Sequence, residues 1–354
     1  MRPPVDLRSD TVTRPTPEMR EAMFRAEVGD DVFGDDPTVL ELEEEAASLL
    51  GKEAALFVAS GTMGNQLAVM THTTHGDEVL VGRPCHIAQH EAGAAALLSG
   101  VTLVPLDAPT GRIRPDAVRE AVRTPDLHHP DTRLLCLECA HSSGAVQPHS
   151  ELAAAADAAR GAGLAVHLDG ARIFNAAHAL SCDPREIAAC GDTVMFCLSK
   201  GLGAPVGSLL AGSRDFVSRA RRGRKRLGGG MRQVGILAAA GLYALANHVE
   251  RLVEDHRRAD RLAEAMSRVP GVRVLGEQRA INMVWLEGSW NASADEMVQV
   301  LAERGVLVLG PEGGRLRLVT HLDVDDQGLE VAIRELTAVL RTLGSPGDSS
   351  GGVV

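Results

Sequence analysis

The sequence predicts an α/β fold, with a mostly parallel sheet in a large domain and a smaller α+β domain after it. Short apolar segments alternate with helical patterns along the first two thirds of the chain, which is typical of parallel sheets. The chain has 354 residues and is 45% hydrophobic, so its length suggests two domains. Reactive polar residues follow several of the apolar segments directly, at the place where such sheets bind ligands.

The chain is predicted to divide into four parts. Residues 1–20 contain prolines and little helical pattern, so we expect an extended N-terminal arm. Residues 21–245 are expected to form the large domain and residues 246–343 the small one. Residues 344–354 are rich in Gly and Ser, which predicts a disordered tail.

Each strand of the large sheet is predicted from a short apolar run, and the helices from apolar residues at helical spacing. The strands expected in the large domain are 54–58, 78–81, 101–105, 133–138, 164–168 and 193–198. Those expected in the small domain are 272–275, 282–286, 306–309 and 316–319.

Lys200 is the most informative residue among those that follow a predicted strand. The apolar run from Thr193 to Leu198 leads through Ser199 into this lysine, and glycines, alanine and proline follow. Removing an ammonium group from water lowers its pKa and leaves a nucleophilic amine, which can form a Schiff base with a carbonyl compound. A lysine at the surface of a turn is the structural alternative.

Several other polar groups are expected at the same edge of the sheet. They lie in 83–86, 138–141 and 169–172, each at or just after the end of a predicted strand. The segment 60–65, Ser-Gly-Thr-Met-Gly-Asn, begins a helix with small residues, and a helix start of this kind can bind an anion. It is neither a P-loop nor a dinucleotide-binding motif, so a nucleotide is not indicated.

Together these features match the groups that bind pyridoxal phosphate (PLP). Lys200 offers the amine for a Schiff base, an aspartate such as Asp169 can pair with the ring nitrogen, and a helix start can hold the phosphate. His86 is a candidate for stacking on the planar ring.

Charge and cysteine content exclude other classes of protein. The net charge of −11 argues against general binding of nucleic acid or anionic membranes, although the basic run 219–226 is a local exception. We find no signal peptide and no apolar run long enough to span a bilayer. Six cysteines in a chain of this length do not indicate a disulfide framework, and the Cys136 and Cys139 pair does not indicate a metal site. A cytoplasmic protein is therefore expected.

Several segments carry a resemblance to a known family. They are 6–13, 27–34, 55–65, 167–175, 195–207 and 228–233, with the sequences Asp-Leu-Arg-Ser-Asp-Thr-Val-Thr for the first and Met-Phe-Cys-Leu-Ser-Lys-Gly-Leu-Gly-Ala-Pro-Val-Gly for the fifth. From residue 6 to about residue 325 the chain resembles the L-threonine aldolases, which have the aspartate-aminotransferase-like fold of type I PLP enzymes. This resemblance implies a seven-stranded sheet in the large domain.

The resemblance also implies a role for individual residues. Lys200 would carry the cofactor, Asp169 would pair with its ring nitrogen, and His86 would stack on the ring. The phosphate would be held by backbone groups of Gly61 and Thr62. Arg232, from a neighbouring subunit, would contact the cofactor phosphate, and Arg172 would also contact the cofactor. The substrate carboxylate would be bound by Ser9, Arg172 and Arg317. Arginine suits a planar carboxylate because its guanidinium binds both oxygens.

The implied reaction is cleavage of threonine or allo-threonine to glycine and acetaldehyde. A base must accept the proton of the β-hydroxyl group, and His86 and His128 are both candidates. The family commonly has aromatic residues where this chain has 87–91, Ile-Ala-Gln-His-Glu, so the range of substrate side chains is left open. A related PLP enzyme, either a β-eliminating lyase or an aminotransferase, is the alternative, and a nucleic-acid-binding protein using residues 219–226 is a remote one. The resemblance suggests a tetramer, or a dimer as the minimal catalytic unit.

Overall fold

The computed structural model describes residues 3–276 and 280–343, and these form two compact units. One unit runs from Arg14 to Glu250, and the other combines the described residues before Arg14 with those after Glu250. The corresponding boundaries predicted from the sequence lie after residues 20 and 245. The predicted tail 344–354 lies outside the described residues.

The larger unit contains a seven-stranded sheet, with strands and helices numbered here along the whole chain. Its strands are β2 (Ala54–Val58), β3 (Glu78–Gly82), β4 (Thr102–Leu106), β5 (Thr132–Glu138), β6 (Ala165–Asp169), β7 (Thr193–Cys197) and β8 (Ser208–Gly212). Their spatial order is β2-β8-β7-β6-β5-β3-β4. Neighbouring strands from β7 to β4 are parallel, whereas β8 is antiparallel to both β2 and β7. The predicted fold class, a mostly parallel sheet with a smaller unit, is confirmed.

Helices connect the strands of this unit and cover its sheet. They are α1 (Pro17–Arg25), α2 (Pro37–Leu50), α3 (Gly61–His72), α4 (His86–Gln89), α5 (Pro115–Ala121), α6 (His149–Gly161), α7 (Ile173–Leu180), α8 (Pro184–Ala189), α9 (Arg214–Arg226) and α10 (Gly235–Asn247). Apolar strands form because their side chains are buried, as in β7, where all five residues are buried.

The smaller unit is built on two short sheets. Its elements are β1 (Val5–Asp6), α11 (Leu252–Met266), β9 (Val272–Val274), β10 (Met283–Gly288), α12 (Ala294–Glu303), β11 (Val306–Leu307), β12 (Arg315–Val319) and α13 (Asp326–Leu343). The order β12-β10-β9 is antiparallel, and β1 pairs in parallel with β11. The predicted arm is therefore not extended throughout: it contributes β1, makes a 3₁₀ turn over Asp10–Val12 and enters α1 at Pro17.

Two further predictions concern cysteines and membranes. The cysteines at 136 and 139 are buried free thiols, and all six cysteines of the chain are free. Among the helices of the described ranges, none combines the length and the apolar character that crossing a bilayer requires.

Candidate active site

The carboxyl ends of four neighbouring parallel strands meet at one edge of the large sheet. Glu138 ends β5 and pairs in register with Asp169, which ends β6. His86 follows β3 as the first residue of α4, and Lys200 lies in the turn after β7. The structure thus brings together at this edge the predicted residues Lys200, Asp169 and His86.

Asp169 is a buried carboxyl group that the surrounding chain holds in place. Its side chain accepts a hydrogen bond of 3.0 Å from the backbone N–H of Ala171 and one of 2.8 Å from the side-chain amide of Asn65. Asp169 as a whole is 3% exposed. A buried carboxyl group needs such donors, because burial without them is costly.

His86 is half-buried and held by two carboxyl groups. Its Nδ1 lies 2.8 Å from Oε1 of Glu91, and its backbone N–H donates a hydrogen bond of 3.1 Å to Oε2 of Glu138. The hydrogen bond to Glu91 raises the pKa of His86, burial opposes the rise, the charge of Asp169 supports it and that of Lys200 opposes it. The imidazole is therefore biased towards its protonated form.

Lys200 shares the electrostatic environment of these groups. The pKa of Glu138 is raised to about 8, mainly by burial and further by repulsion from Asp169. The charges of Lys200 and His86 act in the opposite direction on the same carboxyl group. The amine of Lys200 consequently lies within electrostatic reach of both His86 and Glu138.

The start of α3 packs tightly against the strand that leads to Lys200. Ser60 caps this helix by accepting a hydrogen bond of 3.1 Å from the N–H of Met63. A Cβ atom added to Gly61 would lie 2.9 Å from Sγ of Cys197, so only glycine fits there without a shift. Because the first N–H groups of a helix lack acceptors within the helix, those at Gly61 and Thr62 are available to bind an anion.

Four of the other predicted residues fall into three places. Arg172 is 8% exposed and occupies the N-cap position of α7, just after Asp169. Ser9 and Arg317 belong to the smaller unit, where Nη2 of Arg317 donates a hydrogen bond of 3.4 Å to the carbonyl of Arg8, next to Ser9. Arg232 is exposed, and its Nη1 lies 3.3 Å from Oδ2 of Asp30.

His128 is not brought together with His86 within the chain. It is exposed in a turn before β5, and its backbone N–H donates to Asp126. Glu138, beside His86, ends this strand of seven residues. At about 3.3 Å per residue, the strand separates its two ends by roughly 20 Å.

Comparison with known proteins assigns the chain to a family. Residues 6–289 match the model of the beta-eliminating lyases. The chain is 48% identical over 331 residues to the low specificity L-threonine aldolase of Escherichia coli (strain K12), covering 93% of this chain and 97% of that protein. It is 44% identical over 337 residues to a probable low-specificity L-threonine aldolase 2 of Arabidopsis thaliana, covering 93% and 95%. The chain belongs to the beta-eliminating lyase family.

Solved structures show the fold of this family independently. The chain matches the Leishmania major threonine aldolase with a TM-score of 0.79 at 21% identity, covering 96% of this chain and 99% of that one. It matches a putative L-allo-threonine aldolase from Listeria monocytogenes with a TM-score of 0.78 at 22% identity, covering 96% and 97%.

The residues at the sheet edge fit PLP, the cofactor of this family. PLP carries an aldehyde, a ring nitrogen and a phosphate. The edge offers an amine in Lys200, a buried carboxyl group in Asp169 and the N-terminus of α3, with His86 beside them. The donor set therefore matches each functional group of the cofactor.

Three side chains of this beta-eliminating lyase site are not among the residues predicted from the sequence. Asn65, Gln66 and Glu91 are buried next to Asp169 and His86, and they are joined by hydrogen bonds. Asn65 lies four residues after Gly61 and Glu91 lies five after His86, so position along a helix or turn was the available signal.

Proposed function

We propose that this chain is a PLP-dependent, low-specificity L-threonine aldolase that cleaves L-threonine, L-allo-threonine or both to glycine and acetaldehyde. The observation that carries the proposal is the grouping of Lys200, Asp169 and His86 at one sheet edge. Near full-length similarity to L-threonine aldolases supports it. The substrate class is an amino acid with a β-hydroxyl group.

Lys200 and Asp169 are proposed to hold the cofactor. Lys200 is the amine to which the PLP aldehyde attaches, and Asp169 is the carboxylate that pairs with the ring nitrogen. When bound, PLP supplies an electron sink for the pair left on Cα after the Cα–Cβ bond breaks. The arrangement of Asn65 and Ala171 around Asp169 supports this role, because it keeps the carboxylate in one position.

The phosphate is proposed to bind at the start of α3. Backbone N–H groups of Gly61 and Thr62 are the donors, and the helix dipole favours the negative charge. Arg232 is proposed as an additional phosphate contact supplied by a neighbouring copy, since its exposure in a single chain leaves it accessible.

Carboxylate binding is proposed for Arg172, Ser9 and Arg317. A guanidinium forms two parallel hydrogen bonds to a carboxylate, and this fixes the orientation of an amino-acid substrate. Burial of Arg172 supports its part, because a guanidinium that is removed from water attracts an anion more strongly than an exposed one.

His86 is the proposed base within the chain. Glu91 occupies its Nδ1, so Nε2 is the nitrogen that can accept the proton of the β-hydroxyl group. Loss of that proton allows the Cα–Cβ bond to break and acetaldehyde to leave, and protonation of Cα then gives glycine. His128 is the other candidate, and its exposed position requires that it act on the site of another copy of the chain.

Assembly and compartment are also part of the proposal. A homotetramer, with a dimer as the minimal catalytic unit, is supported by the family resemblance and by exposed apolar side chains such as Phe24 and Phe33. A reducing, cytoplasmic location is supported by the free cysteines.

Product analysis tests the proposed function most simply. The purified chain with PLP is incubated separately with L-threonine and L-allo-threonine, and glycine and acetaldehyde are measured independently. Equal amounts of both products are expected, and Lys200→Ala should form neither. A keto acid in place of glycine would indicate that the enzyme catalyses β-elimination or transamination instead. Glycine without aldehyde would contradict carbon–carbon cleavage.

A further inference from the structure

Glu91 is a fully buried acidic side chain next to the proposed site, where the proposed chemistry uses it only as the group that faces Nδ1 of His86. Its side chain has 0% exposure, although it lies only five residues beyond the half-buried His86. A carboxyl group in this position is stable only if it is hydrogen-bonded or paired with a cation. Its partners therefore show what holds it there.

Three donors meet on the two oxygens of Glu91. Oε1 lies 2.8 Å from Nδ1 of His86 and accepts a hydrogen bond of 2.8 Å from Nδ2 of Asn65. Oε2 accepts a hydrogen bond of 2.5 Å from Nε2 of Gln66. Both amides come from α3, so the carboxylate is fixed from a helix that packs on the sheet.

The orientation of Asn65 follows from the rest of its contacts. Its Nδ2 faces two carboxyl groups, those of Glu91 and Asp169, and both can only be acceptors when ionised. Its Oδ1 lies 3.0 Å from Nε2 of His167, which must then be the protonated nitrogen of that ring. Nδ1 of His167 consequently accepts from the hydroxyl of Thr193, 3.0 Å away. This consistent series fixes Asn65 as a double donor.

We propose that Glu91 is a positioning residue that fixes His86 with its Nδ1 proton directed to the carboxylate and leaves Nε2 for proton transfer with the substrate. The inference rests on the proposed function for the reaction it serves, whereas the pairing of the two side chains is a property of the free protein. Asn65 and Gln66 hold Glu91, and Asn65 also joins Glu91 to Asp169.

This arrangement strengthens His86 as a base. A negative charge against Nδ1 stabilises the imidazolium, as the aspartate does in a catalytic triad. The pKa of His86 is raised accordingly, with the Glu91 hydrogen bond as the largest cause. The titratable or charged groups that face or influence His86 are Glu91, Asp169, Glu138, Lys200, His90 and His141. Glu91 is the one among them that holds the ring itself.

The titration of His86 tests the proposal in the wild-type protein. Hydrogen–deuterium exchange at the imidazole carbon, read by mass spectrometry with fragmentation to separate His86 from His90, gives its midpoint in the full chain with and without PLP. We expect a midpoint above the ordinary value of about 6.5 in the cofactor-free protein. A midpoint at or below that value would overturn the proposal, even if no variant folds.

Glu91→Gln removes the charge and keeps the shape of the side chain. The midpoint of His86 should fall by about 1 pH unit or more. The acid limb of kcat/KM should move to lower pH in the same variant, because His86 acts as a base only above its pKa. A folded Glu91→Gln protein whose His86 midpoint is unchanged would contradict the proposal.

Glu43→Gln is the matched control. Glu43 is also a buried carboxyl group in the same unit, but it pairs with Arg221 and accepts from the N–H of Phe57. Its substitution should leave the titration midpoint of His86 unchanged. An equal fall of that midpoint in Glu43→Gln would show that removing any buried charge lowers it, and would contradict a specific role for Glu91. If no threonine cleavage is found while His86 behaves as expected, the proposed function fails and the pairing with Glu91 stands.

Discussion

Among the carboxyl groups at the sheet edge, Glu138 is the one whose pKa is changed most clearly by burial. It is 8% exposed, and its neighbour in register is another carboxyl group, Asp169. Burial and this repulsion raise its pKa to about 8, against the attraction of Lys200 and His86. At neutral pH the folded protein therefore favours a protonated Glu138, which accepts a hydrogen bond from the backbone of His86.

Glu138→Gln should change how the free energy of unfolding depends on pH. The folded protein binds more protons than the unfolded chain between about 4.3, the ordinary value for glutamate, and the raised pKa. The stabilisation due to protonated Glu138 is thus complete below that window and is lost as pH rises through about 8.

Chemical denaturation of both cofactor-free proteins at several pH values measures this effect. As pH rises, the free energy of unfolding of the variant should increase relative to that of the wild type, by up to about 1.4 kcal/mol per pH unit. Parallel stability curves across the window would show that Glu138 is already ionised in the folded protein.

The residues of the candidate site differ in how far the sequence can predict them. Lys200 and Asp169 each follow a recognisable buried strand, so their place at the sheet edge could be derived. Asn65 and Gln66 bind Glu91 and Asp169 through hydrogen bonds between side chains 25 to 104 positions apart. The sequence places Asn65 four residues after Gly61 and Glu91 five after His86, but it does not indicate which of these side chains pair. His128 has the chemistry of a base, but the length of β5 keeps it far from His86 in space within one chain.

At the scale of elements, the contact between α3 and β7 positions the proposed phosphate site relative to Lys200. Glycines at 61 and 64 allow the close approach, since added Cβ atoms would lie 2.9 Å from Cys197 and 2.6 Å from Met195. The anion-binding end of the helix is therefore set by packing on the strand that leads to the lysine.

Gly61→Ala should weaken PLP binding. Overpacking of this kind costs about 1–3 kcal/mol, which corresponds to roughly a 5- to 150-fold increase in Kd. Gly161→Ala is the control, because Gly161 ends α6 and an added Cβ there meets nothing within 4 Å. Equal PLP affinity of both variants, measured by absorbance titration, would show that the start of α3 does not set the phosphate site.

The strands of the parallel part of the sheet were predictable from their apolar runs, and one strand of the sheet was missed. β8 has the buried sequence Ser-Leu-Leu-Ala-Gly, which is short, weak in β-branched residues and preceded by the Gly- and Pro-containing turn after Lys200. β8 is a strand because it pairs with β2 and β7, although its own residues do not indicate one.

At the scale of the whole molecule, the N-terminal segment belongs to the smaller unit. Leu7 has 0% exposure within the core of that unit. Its N–H donates to the carbonyl of Leu307 and its carbonyl accepts from the N–H of Val319. The predicted separate arm is thus part of a packed core, because the partners of β1 lie about 300 residues away in the sequence.

Leu7→Ala should destabilise the smaller unit by about 2–5 kcal/mol, since it leaves a cavity in the core. Both tryptophans of the chain, Trp285 and Trp290, lie in this unit, so their fluorescence during urea denaturation reports on it. Leu309→Ala is the control at a side chain that is 46% exposed. Equal urea midpoints for the two variants would contradict the place of Leu7 in the core.

The family and the fold were predictable because the motifs that carry them are continuous in the sequence. The match to the beta-eliminating lyases over residues 6–289 confirms that prediction. Assembly depends on contacts between copies of the chain, which the sequence of one chain does not indicate. The choice between His86 and His128 as the base depends on this assembly, because His128 would act on the site of another copy. These two points stay predictions for that physical reason.

The covalent attachment of PLP to Lys200 is the claim on which the proposed function depends. Borohydride reduction of the PLP-bound protein, followed by peptide mapping, measures it directly. We expect a pyridoxyl group on the peptide that contains Lys200 and no such group in Lys200→Ala. A modification confined to other lysines, with residue 200 unmodified, would contradict it.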